Sequence, residues 1–124
     1  MDRYVFGFEK LKVWQLAKEF AIAIYKTTRN FPDEEKYGLT SQLRRASVSV
    51  ASNLAEGSAR QSRKHQAHFS QLAYSSLVEA VCQLDIAVDL EYLPKDQHEL
   101  LRKHASELSY MINALQHSQK KSSS

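Results

Sequence analysis

Glycine, proline and cysteine are scarce here: three, two and one among 124 residues. So few turn-forming residues exclude a fold of short strands and hairpins and favour long helices. No alternating strand pattern is present. The single cysteine, Cys82, cannot close an intrachain disulfide, which suits a reducing compartment. No run approaches the roughly 18 apolar residues of a membrane-spanning helix. The opening MDRYVFGFEK lacks the basic-then-apolar plan of a secretory signal. These absences lead us to expect a cytoplasmic protein with no membrane partner. The length suits one domain, and such a chain buries roughly two-thirds of its unfolded surface, enough for a core without staples.

Patterns that carry chemistry are missing too. No glutamate is followed three residues later by histidine, as di-iron bundles require. There is no CxxC pair, HExxH, phosphate-cradling glycine loop or nucleophile elbow. His65 and His68 read as a solvated pair, His104 as a core histidine and Cys82 as a small core residue. We therefore expect no catalytic residue, no metal and no cofactor.

What is present is helical periodicity. Residues three and four apart share a helix face, and apolar residues recur at that spacing in four segments. These are about 9–30, 39–60, 63–90 and 97–117, after an arm at 1–8 and before a polar tail at 118–124 expected to be disordered. Pro32 ends the first helix. Ser62 is a plausible cap for the third, and Asp96 with Glu99 resembles a capping box for the fourth. Gly57 suits either a left-handed terminus or a close backbone crossing. Four helices of similar length joined by short turns imply an antiparallel up-down-up-down bundle.

The second helix organises this plan. Leu39, Leu43, Ala46, Val50, Leu54 and Gly57 form its core stripe. Beside it runs a polar stripe of Gln42, Arg45, Ser49, Asn53, Glu56 and Arg60, which Glu79 and Gln83 of helix three echo. We expect Gln42, Arg45, Ser49, Asn53, Glu56, Glu79 and Gln83 to form a network, with Arg45 paired to Glu56 or Glu79. Such a network fixes register and partner choice more than it adds stability. Ala51 and Ala55 lie on a third face, open to a closely approaching helix. Helix one carries a second apolar strip with Leu11, Trp14 and Tyr25, beyond what one core contact needs, so these are candidates for an interface between subunits.

Charge is unevenly placed. Between Gln42 and His68, five cations face one carboxylate, a local +4 in a chain of net charge +3. Clustered Arg and Lys are the footprint of phosphate-backbone binding. Arg44, Arg60, Arg63 and Lys64 are the candidate contacts.

Two segments, LKVWQLA at 11–17 and NFPDEEKYGLTSQLRRASVSVASNLAEGSAR at 30–60, resemble the four-helix bundle family of 23S rRNA-intervening-sequence proteins. The likeness rests on Leu11, Val13 and Trp14; on Phe31, Pro32, Glu35, Gly38 and Leu39; and on Gln42, Arg45, Ala46, Ser49, Asn53, Ala55, Glu56 and Gly57. Helix three matches through Phe69, Ala73, Ser76 and Glu79, and departs at Ser75, where the family usually has glycine. The resemblance implies a left-turning antiparallel bundle assembled as a ring of five, a homopentamer, with no established enzymatic activity. A related branch, the accessory proteins of diversity-generating retroelements, associates with nucleic acid and a reverse transcriptase.

The leading expectation is a non-enzymatic homo-oligomer that binds RNA or DNA through pooled basic surfaces. The alternative is a protein-interaction scaffold with no nucleic-acid role, working through Trp14, its apolar strip and the aromatic arm. An enzyme using Glu56 and Glu79 ranks last, since it needs a solvent-open pocket between them.

Overall fold

The computed structural model describes residues 2–121. They form four α-helices: α1 (Lys12–Thr28), α2 (Leu39–Ser58), α3 (Arg63–Asp89) and α4 (Lys95–Lys121). Single 3₁₀ turns lie at Gly7–Lys10 and Asp33–Glu35, and no strand occurs among the described residues. Each helix packs on the next in sequence, and α4 also packs on α1. One apolar core results, with Phe20, Ile24, Leu43, Val50, Leu77, Leu84, Leu108 and Ile112 fully buried.

Several helix ends are fixed by specific contacts. Thr28 turns its hydroxyl back onto the Ile24 carbonyl (2.8 Å) at the end of α1. Arg44 then donates from Nε to Thr28 Oγ1 (2.8 Å) and from Nη2 to the Tyr25 carbonyl (3.4 Å), over the Tyr25 ring. A guanidinium placed there serves carbonyls that no helical N–H can reach.

Glu35 holds the start of α2. Its Oε1 accepts from the Leu39 amide (3.0 Å) and its Oε2 from the Tyr92 hydroxyl (2.8 Å). The amide bond first, and the tyrosine second, hold the Glu35 carboxyl below its usual pKa. The same bond, followed by burial, raises the Tyr92 phenol. Phe31 and Leu93 are buried beneath this clasp, where the Phe31 and Tyr92 rings meet at 5.5 Å.

At the other end of α2, Gly57 is the close-crossing residue, not a left-handed terminus. A Cβ on it would lie 2.9 Å from Phe69 Cβ and 3.5 Å from the Gln66 carbonyl of α3. Ser62 caps α3, accepting from the His65 amide (3.0 Å). At the α3 C-terminus Glu91 takes φ 64°, with the Glu91 amide on Val88 O and the Tyr92 amide on Ala87 O, both 3.0 Å. This is the Schellman arrangement with glutamate where glycine is usual.

The observed structure departs from the sequence reading in several places. α4 begins at Lys95, so Asp96 sits inside its first turn, where its charge meets the dipole directly. α4 runs to Lys121, so residues 118–121 of the expected disordered tail are helical and 122–124 lie outside the described residues. Gln119 is buried and accepts from the Ser70 hydroxyl (2.7 Å), which anchors that last turn. Cys82 is exposed rather than core, and Leu72 and Leu100 are exposed at 38% and 59%. In α4 the buried phase is Leu101, Ala105, Leu108 and Ile112. Adjacent leucines at 100 and 101 satisfy two helical phases equally, and packing on α3 selects one.

Candidate nucleic-acid interface

Arg60, Arg63 and Lys64 sit together at the turn from α2 to α3, all exposed. The turn is short because Gly57 lets α3 return tightly across α2. Arg60 lies over the Phe69 ring, 4.7 Å from its centroid, and its carbonyl accepts from Gln66 Nε2 (2.8 Å). Among the described residues no carboxylate comes within 4.0 Å of Arg60, Arg63 or Lys64. Arg44 does not join them. It lies sixteen residues earlier on α2, about 24 Å along the axis, and is committed to the end of α1.

The fold adds cations that local sequence does not reveal. The starts of α1 and α3 and the ends of α2 and α4 meet around a cavity of about 280 Å³ lined by Leu11, Gly57, Arg63, Gln119 and neighbours. Lys10 and Lys12 precede or open α1, and Lys120 and Lys121 close α4. All four therefore belong to the same pole as Arg60, Arg63 and Lys64. Lysines at the end of α4 complement its dipole. Arg63 and Lys64 occupy the first turn of α3, where the dipole is already positive and cations are disfavoured by about 0.3–1 kcal/mol each.

The polar stripe is divided into two clusters. Ser49 and Ser76 hydroxyls meet at 2.9 Å, and Asn53 Nδ2 donates to the Ser49 hydroxyl (3.0 Å) and carbonyl (2.9 Å). Separately, Gln83 Nε2 donates to Gln42 Oε1 (3.2 Å) and Glu79 Oε1 (3.3 Å), while buried Gln83 Oε1 has no partner. The expected Arg45 ion pair with Glu56 or Glu79 is not formed, and all three side chains are exposed. Glu79 and Glu56 also stand apart. The pairings of Gln42 with Gln83 and Ser49 with Ser76 put Glu79 opposite Ala46, ten residues or about 15 Å from Glu56. Neither lines any of the five principal cavities.

The second apolar strip of α1 and the small face of α2 form one groove of about 600 Å³. Trp14, Ile22 and Tyr25 face Val48, Ala51 and Ala55 across it. Phe8 packs edge-on against Trp14 at 4.7 Å, continuing a ring series from Tyr4 through Phe6. Leu11 lines the cavity beside Arg63 instead.

A family model described as 23S rRNA-intervening sequence protein matches residues 9–114. The chain belongs to that family. Its four-helix fold is shared with a crystal structure from Bacteroides thetaiotaomicron VPI-5482, described as a protein with unknown function from the S23 ribosomal protein family. The TM-score is 0.75 at 23% identity, over 83% of this chain and 96% of that one. No curated protein matches. For this intervening-sequence family member, no group of three or more His, Cys, Asp or Glu side chains among the described residues is placed to hold a metal. Among the described residues, no helix is long and apolar enough to cross a membrane.

Proposed function

We propose that the protein is a non-enzymatic, cytoplasmic four-helix bundle, antiparallel in up-down-up-down order, that forms a homopentamer and binds RNA or DNA at its basic pole. The alternation of helix starts and ends around one cavity supports the antiparallel order. The ring of five rests on the family resemblance.

The observation that carries nucleic-acid binding is the misplacement of charge on α3. Arg63 and Lys64 stand against the dipole with no carboxylate of the described residues to relieve them, beside an Arg60 held out on Phe69. Stability alone favours acids there. A phosphate at this turn meets three cations and a helix N-terminus together.

Anisotropy titration of a short single-stranded RNA across a salt series tests this. Three phosphate contacts per engaged protomer on a single strand give a log–log slope of about −2. Arg60→Glu with Arg63→Glu should remove most of the affinity and flatten the slope while the circular dichroism spectrum stays helical. Unchanged affinity in that folded variant sinks the assignment.

The groove beside Trp14 favours a second reading, a protein scaffold with no nucleic-acid role. On that reading Trp14→Ala abolishes assembly by light scattering, and wild-type protein ignores RNA at physiological salt.

A further inference from the structure

Two exposed faces of this chain complement each other in shape character and in charge. The first is the α1–α2 groove. Its floor is apolar, its rim carries Lys18, Lys26 and Arg29, and no acid lines it. Ile22, Tyr25 and Val48 remain 40–44% exposed there.

The second is the outward face of α3. Leu72, Ser75, Glu79, Cys82 and Ile86 follow one another at steps of three and four residues, the spacing of a helix-packing seam. All five are exposed, and Val78, Ile86 and Leu90 expose 47–50% of their surface. From Phe69 to Pro94 the chain has no lysine or arginine and four acids. Asp85 is engaged by His98 (2.7 Å) and Arg102 (3.0 Å) of α4. Glu79, Asp89 and Glu91 are exposed and have no cation within 4.0 Å among the described residues. Asp89 and Glu91 also stand at the C-terminal end of α3, where the dipole disfavours carboxylates.

We infer that the acidic face of α3 in one copy docks into the basic α1–α2 groove of a second copy, head to tail. This rests on the homo-oligomer reading above and specifies its interface. The occupant follows from complementarity. The groove needs an apolar ridge flanked by acids and free of cations, and α3 presents one. Ala51 and Ala55 leave room for a helix backbone, and Ser75 and Cys82 keep the ridge low. Both faces border α2, the groove on its α1 side and the ridge beyond its α3 side. Contacts on neighbouring sides of a bundle curve as they repeat, which suits a closed ring over a straight filament.

Light scattering on wild-type protein and four variants tests this. Lys26→Glu with Arg29→Glu spoils the groove, and Glu79→Lys with Asp89→Lys spoils the ridge. Each pair should fall to the protomer mass of 14.2 kDa. Mixed together, the two variants supply one native pairing and one doubly reversed pairing, so the mixture should rise above the protomer mass that each variant shows alone. A chain carrying all four reversals should reassemble to the wild-type mass. Ile86→Ser, which removes only an exposed apolar contact, guards against misfolding in the charge variants and should also lower the mass. If wild-type protein is itself monomeric, the oligomer reading fails and this interface fails with it. If wild-type assembles but the folded variants keep its mass, or the mixture stays monomeric, the oligomer reading survives and the groove belongs to another occupant.

Discussion

Replacing Gly57 by alanine sets two known effects against each other inside one helix. Glycine within a helix is less favourable than alanine by about 1 kcal/mol. On propensity alone, Gly57→Ala should stabilise α2. The structure predicts the opposite. The added methyl would lie 2.9 Å from Phe69 Cβ, an atom one bond from the α3 backbone. No rotamer change can move that atom, so α2 and α3 must separate along their crossing. Overpacking of this kind costs about 1–3 kcal/mol, and a clash with a rigid neighbour belongs in the upper half of that range. The net is a loss of about 1–2 kcal/mol. At about 3–5 °C per kcal/mol for a chain of this size, the melting temperature should fall by about 3–10 °C. Thermal and urea melts followed by circular dichroism at matched protein concentration read this directly. Phe69→Ala in the same background keeps the obstructing Cβ, so it should add its own cavity cost and rescue nothing. A Gly57→Ala protein that melts above wild type would refute the close-crossing argument, and rescue by Phe69→Ala would show the ring to be the obstacle.

Other substitutions probe the ends of the helices. Glu91→Gly should raise stability by about 1 kcal/mol, because a non-glycine residue at φ 64° bears a left-handed penalty of about 1–2 kcal/mol; an unchanged urea midpoint would count against strain at that turn. Glu35 has a folded pKa below its ordinary 4.5, so its contribution is present above that value and is lost as pH falls through the lowered one. Glu35→Gln should therefore flatten the acid limb of a midpoint-against-pH curve, and an identical limb in the variant would remove Glu35 from the account.

Much of the fold was legible because α2 carries an unambiguous pattern. Leu43, Ala46, Val50, Leu54 and Gly57 are all buried, and every leucine of that segment falls in this one phase. The phase of α4 was not legible, since Leu100 and Leu101 serve two registers and only the neighbouring helix decides. Cys82 misled because its residue type favours burial, while its position faces outward beside Val78 and Ile86. At the candidate site, Arg60, Arg63 and Lys64 could be grouped from sequence because a single turn separates them. Lys10, Lys12, Lys120 and Lys121 could not, because only topology brings opposite ends of the chain to that pole. Charge alone groups Arg44 with them. A signal to the contrary existed in Thr28, a helix-ending threonine one loop away whose hydroxyl and neighbouring carbonyls invite a guanidinium. The apolar strip of α1 and the alanines of α2 were each visible separately, but a periodicity read one helix at a time does not reveal that two strips form a single groove.

The meeting of Gly7 and Gln119 around one cavity has a practical consequence for anyone handling this protein. The chain reaches that cavity at Gly7 near one end and at Gln119 near the other, on the pole that carries Arg63. An affinity tag or fusion partner on either end would hang over the basic turn, and an acidic or bulky one would screen it. Binding experiments belong on protein freed of both, or on a version whose handle is inserted in the Glu91–Pro94 turn at the opposite pole.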